Sequence, residues 1–204
     1  MPLVNPTTRE ITCKIVYYGP GRSGKTTNLQ YVHGSLPVDR KGEIVSLATE
    51  TDRTLFFDFL PLDLGEISGF RTRLQLYTVP GQVYYNATRK LVLRGADGVV
   101  FVADSGPGCM DANVESLRNL QENLLEHGFD ILELPTVMQW NKRDLAAAIP
   151  VEQMEDTLNF RDVPSRKSIA IRGEGVFDTL RVISELVLRS VAERFEPHRR
   201  GAGA

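Results

Sequence analysis

Gly19-Pro20-Gly21-Arg22-Ser23-Gly24-Lys25-Thr26 fits the pattern GxxxxGK[ST] and directly follows Ile11-Thr12-Cys13-Lys14-Ile15-Val16-Tyr17-Tyr18, a β-branched and aromatic run that reads as a buried strand. Strand, glycine-rich turn and helix in that order make a phosphate-binding loop. Gly19, Gly21 and Gly24 let the backbone curl so that successive N–H groups point at anionic oxygens, and a helix opening at Lys25 adds the positive end of its dipole. Lys25 is expected to reach the β- and γ-phosphates, and the Thr26 hydroxyl to serve as a hard oxygen ligand for Mg²⁺. Arg22, Ser23 and Thr27 fill out the expected nucleotide-binding stretch. A glycine-rich turn that only capped a helix would not require Lys and Thr at those offsets.

The base is read elsewhere. Asn141-Lys142-Arg143-Asp144 follows the apolar run Thr136-Val137-Met138-Gln139-Trp140 and matches NKxD. A carboxylate at Asp144 accepts hydrogen bonds from the guanine N1–H and N2 amino group, whereas adenine has an acceptor at N1 and no amino group at C2. The wrong base leaves a buried charge unpaired, which discriminates far better than a lost methylene does. Asn141 is expected to tie this loop to the phosphate loop, and the Lys142 stem to lie along the base face. GTP and GDP are therefore the expected nucleotides, and an ATP-dependent P-loop kinase is a distant alternative.

With both motifs in place the chain resembles a Ras-like small GTPase. The stretch Thr49-Glu50-Thr51-Asp52-Arg53-Thr54-Leu55-Phe56-Phe57-Asp58-Phe59-Leu60-Pro61, followed by Leu76-Tyr77-Thr78-Val79-Pro80-Gly81-Gln82, is similar to the MglA family, bacterial GTPases of gliding motility and cell polarity. The resemblance runs from about Arg9 to about Val191. It implies a GTP/GDP switch acting at cell poles, stimulated by a small Roadblock-type partner (an MglB-like dimer) and passing its state to motility and polarity effectors.

In the residues themselves, Gly81 offers an N–H to the γ-phosphate and Gln82 is placed to orient the attacking water. Arg53 precedes Thr54, the expected switch threonine whose oxygen would complete the Mg²⁺ shell. An arginine there can act as a finger in cis; the alternative is a solvated loop arginine. Thr78 stands where most Ras-like chains carry a magnesium-associated Asp. Either Thr26, Thr54, phosphates and water hold the metal, which is the favoured account, or Asp58 supplies the charge. Asp58 alternates with Phe57 and Phe59, so it should face away from them. Counting back from Gly175-Val176-Phe177 puts Ala170 at the fifth guanine element, its N–H directed at guanine O6.

The 204 residues, 42% of them apolar, suit one G domain over 1–195 with a flexible tail over 196–204. Strands are expected at Ile11–Tyr18, Leu55–Leu60, Arg71–Thr78, Gly98–Ala103, Pro135–Trp140 and Lys167–Ile171. Helices are expected from Lys25 to about His33, about Val83 to Arg94, Met110 to His127, Val151 to Leu158 and Val176 to Glu193. Their alternation predicts an α/β fold, a P-loop Ras-like G domain whose mostly parallel sheet is covered by helices on both faces.

A net charge of −2 gives no general attraction to nucleic acid or acidic membranes. Arg89-Lys90 with Arg94 reads as a solvated helix face. Cys13 and Cys109 lack metal spacing and suit reduced cytosolic thiols. No prenylation cysteine, signal architecture or spanning apolar run is written in the chain. A cytoplasmic monomer without its own membrane anchor, brought to a pole by partners, is the expectation. The alternative to a hydrolysing switch is a nucleotide-gated binding module with little turnover, which would have no need of Arg53 or Gln82.

Overall fold

The structure is a computed structural model that describes residues 3–5, 7–49, 52–67, 69–82 and 85–200, with the side chains of 47–49, 52–56 and 195–200 outside that description. Strand β1 (Leu3–Asn5) leads to β2 (Glu10–Tyr18), the phosphate loop and helix α1 (Lys25–Ser35). Strands β3 (Val45–Thr49), β4 (Asp52–Ile67) and β5 (Phe70–Thr78) follow. The rest alternates: α2 (Asn86–Leu93), β6 (Gly98–Asp104), α3 (Met110–Glu126), β7 (Thr136–Asn141), α4 (Val151–Leu158), β8 (Ser165–Lys167) and α5 (Val176–Arg200).

Among the described residues these strands form one sheet in the order β3-β4-β5-β2-β6-β7-β8, with β1 beside β2. From β5 to β8 every pairing is parallel, while β4 runs antiparallel to both β3 and β5. Parallel strands buried on both faces need apolar runs rather than alternation, and every residue of β6 and β7 is buried. One core layer joins Ile15, Leu76, Val100 and Val102 to Leu29 and Val32 of α1 and to Leu180, Ile183 and Val187 of α5. The opposite layer joins Val16, Val99 and Phe101 to Val92, Leu117, Leu120, Leu124 and Met154 of α2, α3 and α4. Helices therefore cover both faces, as the alternation of elements predicts.

Two strands differ from expectation. Pro61 and Gly65 suggest that the strand after the switch ends near Leu60, but β4 runs on to Ile67. The Pro61 carbonyl accepts from Gly42 N at 2.9 Å, so the ring nitrogen faces the Gly42 side and no ladder bond to β5 is lost. The expected strand Lys167–Ile171 is instead Ser165–Lys167 followed by a 3₁₀ turn over Ala170–Arg172. Ser168 N still donates to Trp140 O at 2.8 Å, and beyond it the chain leaves the sheet to meet Asn141. Helix α2 is described from Asn86, the expected start at Val83 lying outside the described residues, β1 and β3 carry no recognised signal, and α5 continues to Arg200, past Glu193.

Candidate functional site

The phosphate loop leaves β2 and turns through left-handed backbone at Gly19 (φ +141), Arg22 (φ +61) and Gly24 (φ +103) before α1 begins. Gly24 is obligatory on two counts: its φ is positive, and a Cβ there would lie 2.2 Å from Asn141 Nδ2. Lys25 is buried, and its ammonium donates to Gly19 O (3.0 Å) and Pro20 O (2.6 Å), so the side chain curls back over its own loop. Burial pushes the Lys25 pKa down to about 7, helped by the nearby Arg89 charge and opposed by Asp58. Thr27 is partly buried, Ser23 is buried, and Gly21 and Arg22 are exposed at the loop's tip.

Gly81 is pressed against this loop. A Cβ on Gly81 would stand 2.3 Å from Gly21 Cα, so the loop that carries Gly81 and Gln82 meets the glycine-rich loop backbone to backbone. Gln82 follows with an exposed side chain, and its carbonyl accepts Tyr85 N at 3.1 Å. Arg53 and Thr54 lie on β4, not on a loop before it, and their side chains fall outside the described residues.

Asp58 is buried and does face away from Phe57 and Phe59, whose rings pack on Tyr77. Its carboxylate accepts hydroxyl hydrogen bonds from Thr26 (2.6 Å), Ser46 (2.6 Å) and Thr78 (2.9 Å). Register explains the arrangement. Ser46 pairs with Asp58 across β3, and the ladder Phe59↔Tyr77 places Thr78 next in line on β5. A carboxylate from the neighbouring strand thus stands beside both the Thr26 and the Thr78 hydroxyls. A threonine hydroxyl with one carboxylate is the hard, sparse donor set that suits Mg²⁺. Among the described residues no group of three His, Cys, Asp or Glu side chains could hold a metal.

The base-reading loop is tied to the phosphate loop as expected: buried Asn141 donates from Nδ2 to Ser23 O at 2.7 Å. Its Oδ1 accepts from Ser168 Oγ (3.0 Å) and from Ala170 N (2.9 Å). The Ala170 N–H, expected to face guanine O6, is therefore spent here on orienting Asn141. Lys142 adopts a left-handed φ of +64 and pairs with Asp104 at 2.5 Å, and Asp144 is exposed. Behind them lies a buried exchange of amides: Asn28 Nδ2 donates to Gln139 Oε1 (2.9 Å) and Gln139 Nε2 to Asn28 Oδ1 (3.0 Å). Asn28 also holds Gly24 O, and Gln139 reaches Thr179 Oγ1.

Sequence reasoning missed Arg89 as a site neighbour. Arg94 is exposed and Lys90 pairs with Glu126 at the surface, but Arg89 is fully buried, not solvated. The signal was present in the spacing, because Arg89 shares the buried stripe of α2 with Val92 and Leu93. Cys13 is buried with its thiol pushed up to about 12, chiefly by desolvation, so it is an inert core residue. No helix among the described residues is long and apolar enough to cross a membrane.

No family model matches the chain. It is 60% identical over 188 residues to the mutual gliding-motility protein MglA of Myxococcus xanthus (strain DK1622), an alignment that covers 92% of this chain and 96% of that protein.

Proposed function

Since this chain belongs to the MglA family of bacterial Ras-like small GTPases, we propose that it cycles between GTP- and GDP-bound states, hydrolyses GTP, and serves as a nucleotide-dependent switch for gliding motility and cell polarity. The observation that carries the reading is the backbone contact of Gly81 with Gly21, beside the buried Lys25, while Asn141 joins the same loop to the base-reading strand. One nucleotide spans those two junctions.

In this reading the phosphate-loop amides and Lys25 hold the β- and γ-phosphates, and Asp144 reads guanine with Lys142 along the base. Thr26 would hold Mg²⁺ through its hydroxyl, and Thr54 would add a second oxygen when triphosphate is bound. Asp58 supplies carboxylate charge to the metal's shell, which departs from the expectation that phosphates, threonines and water suffice. The metal held there would supply positive charge to offset that developing on the phosphates. Gln82 orients a water in line with the γ-phosphorus while the Gly81 N–H holds a γ-oxygen. The water oxygen bonds to phosphorus, the bond to the β-phosphate oxygen breaks, and GDP and phosphate leave. Arg53 serves as an arginine finger in cis, worth roughly 10³ to 10⁵ in rate where such fingers act.

A Roadblock-type, MglB-like dimer is proposed to stimulate this step by placing the segment that carries Arg53 rather than by donating a finger. Motility and polarity effectors read the GTP state, and partners bring the cytoplasmic chain to a pole. Single-turnover hydrolysis with and without a Roadblock-type dimer tests the reading. Stimulation that survives in wild type and disappears in Arg53→Ala and Gln82→Ala, with GTP affinity kept, supports it. Tight GTP binding with no hydrolysis under either condition would instead establish a nucleotide-gated binding module.

A further inference from the structure

Arg89 is a fully buried guanidinium whose four hydrogen-bond acceptors among the described residues are all neutral. Nε donates to Pro80 O (3.1 Å), Nη2 to Gly19 O (3.1 Å) and Ser116 Oγ (2.8 Å), and Nη1 to Asn119 Oδ1 (2.6 Å). The guanidinium lies over the Tyr18 ring, 4.4 Å from its centroid. A buried charge normally costs several kcal/mol unless an opposite charge is close; among the described residues this one is held directly by carbonyls, a hydroxyl, an amide and a ring face, with Glu115 as an acidic charge it feels without a hydrogen bond. Its position explains the expense. Gly19 O is shared with the Lys25 ammonium, and Pro80 is the residue before Gly81 and Gln82.

We propose that Arg89 is a positioning residue that joins the Gly19 carbonyl of the phosphate loop to the Pro80 carbonyl of the catalytic loop, and so sets where Lys25 and the Gly81–Gln82 backbone meet the γ-phosphate. The planar fork is what permits it, because one guanidinium reaches two loops and α3 at fixed angles where an ammonium cannot. The other side of the catalytic loop is fastened by the same helix. Asn86 Oδ1 accepts from Asn119 Nδ2 (3.0 Å) and Asn123 Nδ2 (2.8 Å), so residues 80 and 86 are both anchored against α3. Gln82 thus lies in sequence between two residues that are each held against α3. The charge has a second effect: it stands on the same Gly19 carbonyl as the Lys25 ammonium, and bound phosphates are the anions that offset both cations.

The proposal rests on the GTPase reading, and the test separates the two. Labelled GDP and a non-hydrolysable labelled GTP analogue are titrated against wild type, Arg89→Lys and Arg89→Met, and single-turnover GTP hydrolysis is followed in each. Arg89→Lys keeps the charge and loses the fork, so its ratio of GTP-analogue to GDP affinity stays near wild type while hydrolysis falls about 10²-fold, the effect of an ångström-scale misplacement. Arg89→Met loses both charge and fork, so the ratio falls as well. If the Arg89 variants do not fold, Ser116→Ala with Asn119→Ala frees the guanidinium from α3 without removing charge, and slowed hydrolysis at unchanged GDP affinity is the expected result. A wild-type rate in whichever of these variants folds overturns the proposal, as does an equal loss of both affinities with the rate of bound GTP unchanged, which would mark a purely structural arginine. Wild type that binds no guanine nucleotide overturns the GTPase reading and this inference together, whereas active wild type with unchanged variants overturns this inference alone.

Discussion

Asp58 is a buried carboxylate held by hydroxyls from three elements, Thr26 on α1, Ser46 on β3 and Thr78 on β5. An amide at this position keeps the volume but removes the charge and points an N–H₂ group at hydroxyl donors. Asp58→Asn is therefore expected to raise the Mg²⁺ concentration needed for tight GTP binding by about 10- to 100-fold, as outer ligands of metal sites do, read by titrating Mg²⁺ against a fluorescent GTP analogue. Unchanged Mg²⁺ dependence would return the metal to threonines, phosphates and water alone. Lys25 gives a pH prediction. Its pKa in the folded, nucleotide-free protein is lowered to about 7, and phosphate would raise it, so nucleotide binding takes up a proton above that pH. Affinity for GDP should fall as pH rises, by up to about tenfold per unit between about pH 7 and 9, and calorimetry in buffers of different ionisation enthalpy should register proton uptake. A flat affinity profile would mean that Lys25 is already charged before nucleotide arrives.

At the scale of elements, α1 and β7 are joined by the reciprocal amide pair of Asn28 and Gln139, with Gly24 O and Thr179 Oγ1 as the outer partners. This connects the helix that carries Lys25 and Thr26 to the strand that ends at Asn141. Gln139→Leu alone leaves the Asn28 amide buried and half-satisfied, a loss of about 1–3 kcal/mol. Asn28→Leu combined with Gln139→Leu should cost less than the sum of the single changes, because the stranded group is removed along with its partner. Denaturant unfolding of the four proteins in the cycle measures the coupling, and strict additivity would mean that the two amides do not depend on each other. The pairing of β4 with β5 works in the same manner for the cluster of Asp58, Thr26 and Thr78. It is a register between antiparallel strands, and a slip of one residue would turn Asp58 to the Phe57 and Phe59 face.

Across the whole molecule, the two core layers share one sheet, and the loops proposed to bind nucleotide connect elements from both layers. Nucleotide should therefore stabilise the fold as a unit. With GDP at about 100 times its Kd, the gain is about 2.7 kcal/mol. Trp140, the single tryptophan, is buried beside Asn141, so its fluorescence and far-UV circular dichroism should report one coincident, GDP-shifted transition. Separate transitions would mean that the base-binding half opens on its own. Much of this molecule is legible in its sequence, because backbone chemistry is local. A glycine pattern followed by Lys25 and Thr26 curls and starts a helix wherever it stands, NKxD follows its strand, and apolar runs against amphipathic stripes predict helices on both faces of the sheet. What was hidden depends on which distant residues become neighbours. Pro61 ends a strand by local rule, yet β4 continues because the ring nitrogen faces away from β5. Arg89 reads as a surface charge until α2 turns it inward against Gly19 and Pro80. The sequence by itself determined the phosphate loop, the guanine motif and the layered α/β plan, each written in contiguous residues. Only the tertiary structure decided that Asp58 stands beside Thr26 and Thr78 and that a buried arginine links the two glycine loops, because cross-strand register and helix rotation are set by packing rather than by neighbours in the chain.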